Sequence, residues 1–112
     1  MLLYNVTVGV DKEIESEWLA WMKQYYLPKA METNAFVDYK IYKVLTHEDE
    51  SSVSYSIQYF SDAIEKVVYY LNNDGKILVD EHRARFKDRH VVFNTLLQEA
   101  WFQSVFILFG LQ

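Results

Sequence analysis

The 112-residue chain contains no cysteine. That excludes a disulfide scaffold, thiolate catalysis and any cysteine-held metal or iron–sulfur centre. Proline occurs once and glycine three times, too rarely for a low-complexity or linker-rich chain. There is no Gly-rich phosphate loop and no Gly-x-Ser-x-Gly nucleophile motif, and Asn73-Asp74-Gly75 reads as a turn. Basic residues number 11 against 16 acidic ones, for a net charge of −5. That balance argues against nonspecific nucleic-acid binding, which needs a basic face. Long apolar runs are also missing, apart from the uncharged tail Ala100 to Gln112. The tail is shorter than the roughly 20 residues of a spanning helix. The first residues carry no basic start, and Asp11 interrupts any leader-like run. A soluble, cytoplasmic protein without membrane attachment is expected.

What is abundant is apolar and aromatic. Hydrophobic residues make up 51% of the chain and aromatics 17%, with nine Tyr, seven Phe and three Trp. Such a chain can bury a core and is not disordered. Its length suits one domain over residues 1–112, with 100–112 as an apolar C-terminal tail.

Leu2 to Val10 alternates, with Tyr4, Val6, Val8 and Val10 on one face and Leu3, Asn5, Thr7 and Gly9 on the other. That is a half-buried strand. Helical spacing follows at Ile14, Trp18, Met22 and Tyr25, beginning after Asp11 as N-cap. Pro28 predicts that this helix kinks or ends near Leu27. Period two returns over Phe36 to Leu45 and over Val53 to Phe60. A helix with the stripe Ile64, Val67, Val68 and Leu71 is predicted to start at a Ser61-Asp62 cap. Asn72 to Gly75 interrupts it, and a further helical run carries Glu81, His82 and Phe86. Val91 to Gln98 reads as the last strand.

The order βαββαβ is the split βαβ, ferredoxin-like pattern of an α+β domain. Right-handed crossovers give a four-stranded antiparallel sheet of order 4-1-3-2, with helices on one face. The two central strands carry no charge inside them. The second strand, an edge, carries Asp38, Lys40 and Lys43, which protect it from pairing. The face away from the helices is expected to show Asn5, Thr7, Ser54, Ser56, Gln58 and Asn94. These side chains are short, polar and uncharged, which suits a covered, hydrogen-bonded face better than open solvent. A homodimer packed sheet to sheet is the expected cover, with the tail as a helix on its own subunit or the partner.

Five segments together resemble an uncharacterised bacterial family, a domain of unknown function seen largely in Bacteroidetes-type bacteria. They are Tyr4-Asn5-Val6-Thr7-Val8, Glu17-Trp18-Leu19-Ala20-Trp21-Met22, Tyr55-Ser56-Ile57-Gln58-Tyr59, His82-Arg83-Ala84-Arg85-Phe86 and Phe93-Asn94-Thr95-Leu96-Leu97. The resemblance covers about Met1 to Glu99. It implies a dimeric α+β barrel, a superfamily that includes cofactor-independent monooxygenases of the antibiotic-biosynthesis type, heme-degrading enzymes and dye-decolourising relatives. Two positions depart from the family pattern. Tyr26 stands where a His precedes the apolar-Pro pair, and Asn94 stands where an Arg precedes Thr-Leu-Leu.

Chemistry narrows to histidine, arginine, tyrosine and carboxylates. His47 reads as a solvated loop residue and His90 as a solvated strand end. His82 shares a helix face with Arg85 and Phe86, so His82 as base and Arg85 as anion partner are the candidate catalytic pair. Trp21, Tyr26 and Tyr55 are candidate pocket residues, since aromatics with polar tips can line an apolar site. By spacing alone, Trp18, Trp21, Tyr25, Tyr39, Tyr55 and Tyr59 read mostly as core. No His-x-x-x-His or Glu-x-x-His pair is present, so no metal and no cofactor are expected. Arg83, Arg85, Lys87 and Arg89 form a basic run that a helix C-terminus favours without a ligand. Two functions fit: a dimeric domain with a binding or assembly role, or a small cofactor-independent monooxygenase-like or isomerase-like enzyme acting on an aromatic ligand.

Overall fold

The computed structural model describes residues 1–46 and 49–100. His47 and the tail from residue 101 onward lie outside the described residues. Strand β1 (Leu2–Asp11) leads into a helical stretch made of a 3-10 turn (Lys12–Ile14), α1 (Glu15–Trp21), a π-helical segment (Met22–Tyr26) and α2 (Leu27–Glu32). Strands β2 (Asp38–Lys43) and β3 (Ser52–Ser61), helices α3 (Ile64–Asn72) and α4 (Asp74–Arg85), and strand β4 (His90–Gln98) follow. All strand pairs are antiparallel, in the order β2-β3-β1-β4. That is the ferredoxin-like order expected from the alternation, read from the other edge.

The alternation works because one sheet face is covered. Tyr4, Val8 and Val10 of β1 and Val53, Tyr55, Ile57 and Tyr59 of β3 are buried against the helices. Trp18, Leu27 and Val67 are the fully covered helix residues above them. Burying a large aliphatic or aromatic side chain contributes roughly 1.5–3 kcal/mol, so this layer holds the helices on the sheet.

Pro28 does not end the first helix. The turn before it widens instead, and the Leu27 N–H reaches back five residues to the Met22 carbonyl. Pro28 then sits in the first turn of α2, where its missing N–H costs nothing. The π segment turns two side chains, Met22 and Tyr26, into the interior. α3 starts at Ile64 with Ala63 at its N-cap and no side-chain cap bond. The Ser61 hydroxyl is buried and donates to the Ala35 carbonyl.

Asn94 requires a correction. It pairs with Val6 in the β1–β4 register, so it lies on the helix side and not on the outer face. The outer side of β4 instead carries Val91, Phe93, Thr95 and Leu97, opposite Gly9, Thr7, Asn5 and Leu3. Phe93 is 71% exposed. Three of the outer polar residues are hydrogen-bonded among themselves: Ser56 donates to Asn5 at 2.8 Å and Asn5 to Thr7 at 3.3 Å. No helix among the described residues is long and apolar enough to cross a membrane.

Candidate functional site: a tyrosine-lined cleft

Between the helices and the β1–β4 side of the sheet lies a cleft of about 320 Å³. Its apolar walls include Val6, Val8, Met22, Ile57, Leu71 and Val92. The helices cover β1 and β3 but leave β4 open, and Val92 and Leu96 are about 40% exposed there, at 41% and 39%. The π segment contributes to the wall directly, since Met22 and Tyr26 both line it.

Four tyrosines enter the cleft from different elements: Tyr4 from β1, Tyr26 from the π segment, Tyr59 from β3 and Tyr70 from α3. All are at least nine-tenths buried. Their rings pack well. Phe36 stands 4.8 Å from Tyr59 and 4.9 Å from Tyr70, while Tyr4 and Tyr59 are 5.9 Å apart. Gly75 gives Tyr70 its place, because a Cβ there would come within 2.5 Å of the Tyr70 ring. None of the four hydroxyls hydrogen-bonds to any of the described residues, whereas Tyr25 and Tyr55 donate to Glu81 and Glu15 at 2.8 and 2.6 Å. Burial raises the pKa of all four. Tyr26 also feels Tyr4 and Glu81, Tyr70 feels Tyr26, Tyr4 and Asp74, and Tyr59 feels the other three. These phenols keep their protons throughout the physiological range.

Histidine closes the other end. The Trp18 indole N–H donates to His82 Nε2 at 2.8 Å. That bond occupies the ring's lone pair and places the neutral ring's proton on Nδ1. Burial lowers the His82 pKa to about 4, with His90 and Arg83 adding in the same direction. His90 also lines the cleft, its ring 4.6 Å from that of His82. His90 Nδ1–H donates to the Phe86 carbonyl at 2.6 Å, which leaves Nε2 as the acceptor of its neutral ring. The strand-end reading of the sequence missed His90, because only the fold brings it against α4.

The other candidates divide. His82 and Tyr26 share the cleft, while Arg85, Trp21 and Tyr55 do not line it. Arg85 lies over the Trp21 and Phe86 rings at 5.5 and 5.6 Å and pairs with Glu17 at 3.7 Å. Trp21 packs between Tyr25, Tyr26 and Phe86. Tyr55 stacks on Trp18 at 5.2 Å and, by its bond, holds the Glu15 carboxyl below its ordinary pKa. The arginine at the cleft is Arg83, whose guanidinium is held by Asp80 at 2.8 Å. Tyr26 and Asn94, the two departures from the resembled pattern, both line the cleft. Among the described residues no three His, Asp or Glu side chains gather to hold a metal.

Residues 1–100 match the family model described as a domain of unknown function, DUF4286. The chain belongs to this family. No curated protein matches it. Solved structures match its fold. A dimeric ferredoxin-like protein from an uncultured marine organism superposes with a TM-score of 0.62 at 13% identity, covering 92% of this chain and 100% of that one. An EthD family protein from Bacillus halodurans gives 0.62 at 12% identity, covering 89% and 100%. A protein assigned as an antibiotic biosynthesis monooxygenase, from Deinococcus radiodurans, gives 0.60 at 15% identity, covering 93% and 97%. At these identities the likeness is one of fold, and one fold hosts many functions.

Proposed function

We propose that this DUF4286 protein is a single-domain, cytoplasmic homodimer that binds a small molecule in the tyrosine-lined cleft. One observation carries the binding role: five buried polar side chains, Tyr4, Tyr26, Tyr59, Tyr70 and His82, surround one cleft with hydrogen-bonding capacity that none of the described residues takes up. Buried polar groups in a stable core are nearly always paired, and a mostly apolar pocket with a few converging polar groups is the usual form of a ligand site. A thermal-shift screen with small aromatic and aliphatic compounds tests it. A concentration-dependent rise in Tm that Tyr59→Phe weakens is expected. No stabilising compound across neutral, cationic and anionic classes would sink the reading.

The dimer uses the outer sheet face. Val91, Phe93, Leu97 and Tyr42 are exposed there beside uncharged polar residues, an apolar patch that suits a two-fold, self-complementary contact. Light scattering should give twice the 13.4 kDa of one chain, and Phe93→Lys should halve it. A monomer at micromolar concentration would refute the dimer.

A second reading is a cofactor-independent monooxygenase-like or isomerase-like enzyme acting on an aromatic ligand. His90 favours it, since its open Nε2 can take a proton whereas His82 Nε2 is already occupied by Trp18. In that case His90→Ala abolishes turnover and His82→Gln does not.

A further inference from the structure

The hydroxyls of the cleft and the N–H of His82 differ in kind from a balanced polar network. Each of the four phenols has a proton to donate, and so has His82 Nδ1–H. Their protons meet no acceptor among the described residues. Among the described residues the cleft lining holds no Asp or Glu. Its acceptors are Asn94, His90 Nε2 and the phenol oxygens themselves, and no phenol bonds another. The charged groups at the lining are Arg83 and, when protonated, the two histidines. The lining is therefore rich in donors, poor in acceptors and without a carboxylate; Glu81 and Asp74, which act on Tyr26 and Tyr70, and Asp80, which pairs with Arg83, are not among its residues. Its remaining walls are aliphatic.

We infer that the cleft takes a small organic carboxylate carried on an apolar body, the carboxylate oxygens accepting from the tyrosine hydroxyls and the body lying on Val6, Val8, Ile57 and Val92. This rests on the binding role proposed above and names its ligand class. A carboxylate is acceptor-only and offers about four lone-pair sites, which matches several converging donors. Burying its charge is costly unless it is fully hydrogen-bonded, and these donors supply the bonds. Bonds to an ionised acceptor are roughly twice as strong as neutral ones. The raised pKa of the four phenols keeps every donor proton in place when the anion arrives. A cleft of about 320 Å³ lies at the small end of ligand pockets, which fits one ring or a short branched chain.

The test compares benzoate with benzamide, which is nearly identical in shape but neutral and carries two donors. Titrations of the full chain, followed by the chemical shifts of its tyrosine ring signals, give both affinities. Benzoate should bind at least about tenfold more tightly. In the Tyr26→Phe, Tyr59→Phe double variant, benzoate should weaken towards benzamide while benzamide changes little. Equal or tighter binding of benzamide overturns the inference, as does benzoate binding that the double variant leaves unchanged. Binding of neither probe also overturns it. If the broader screen then finds a neutral or cationic binder, the ligand class fails and the binding role stands; if the screen is silent, both fail. The wild-type comparison stands alone should the double variant not fold.

Discussion

Two groups of tyrosines share the helix side of the sheet and differ in what their hydroxyls do. Tyr25 is half-buried and Tyr55 buried, and each donates to a carboxylate, Glu81 or Glu15. Tyr4, Tyr26, Tyr59 and Tyr70 are as buried as Tyr55 and donate to none of the described residues. The first group is finished structure: ring packed, polar tip paired. The second packs its rings equally well but leaves its polar tips facing a cleft. Structure alone would be served as well by phenylalanine at those four positions, since an unpaired buried hydroxyl costs stability.

Variants can break this contrast, beginning with the largest effect. Trp18→Ala should cost about 3–5 kcal/mol in urea denaturation, because it empties a fully buried site and orphans His82 Nε2. A loss below 1 kcal/mol would mean that the Trp18–His82 pair is not part of the finished layer. Acid comes next. The folded protein holds His82 neutral down to about pH 4, whereas the unfolded chain takes up the proton near pH 6.5. Its contribution is complete above pH 6.5 and is lost as the pH falls towards 4, about 3 kcal/mol in all. His82→Gln, whose amide oxygen still accepts from Trp18, should flatten that part of the pH–stability curve. Parallel curves for the two proteins would contradict a neutral, buried His82.

The tyrosines themselves give the finer contrast. Tyr55→Phe removes a made bond and should cost about 1 kcal/mol, with the Glu15 pKa rising towards its ordinary value in an NMR titration. Tyr59→Phe removes no bond to the described residues and should change stability by less than about 0.5 kcal/mol, or raise it. If Tyr59→Phe proves the more costly of the two, the division into paired and unpaired hydroxyls is wrong.

Much of the fold is legible in the sequence, because it rests on local periodicity. The alternation in Leu2–Val10 and Val53–Phe60 and the charges on β2 are enough to place three strands and rank them from centre to edge. Asn94 shows where this stops. Val91-Val92-Phe93 is apolar on both faces, so only the register with β1 decides which side Asn94 occupies. Pro28 shows another limit, since the widened π turn that accommodates it leaves no mark on hydrophobic spacing. Within the site, Tyr26 and His82 stood out by position. Tyr4, Tyr59 and Tyr70 did not, because spacing reveals that a ring is buried but not whether its hydroxyl is paired. His90 needed the tertiary contact with α4. The sheet edges keep the same lesson: β2 carries its charges openly, while the uncharged β4, exposed on both sides among the described residues, acquires meaning only beside the cleft.

The most direct measurement is the ligand-free unfolding free energy of the quadruple variant Tyr4→Phe, Tyr26→Phe, Tyr59→Phe, Tyr70→Phe, set against its response to benzoate. Four hydroxyls without partners among the described residues predict a variant at least as stable as the wild type, and one that benzoate no longer stabilises. A variant several kcal/mol less stable, or one still stabilised by benzoate as the wild type is, would contradict it.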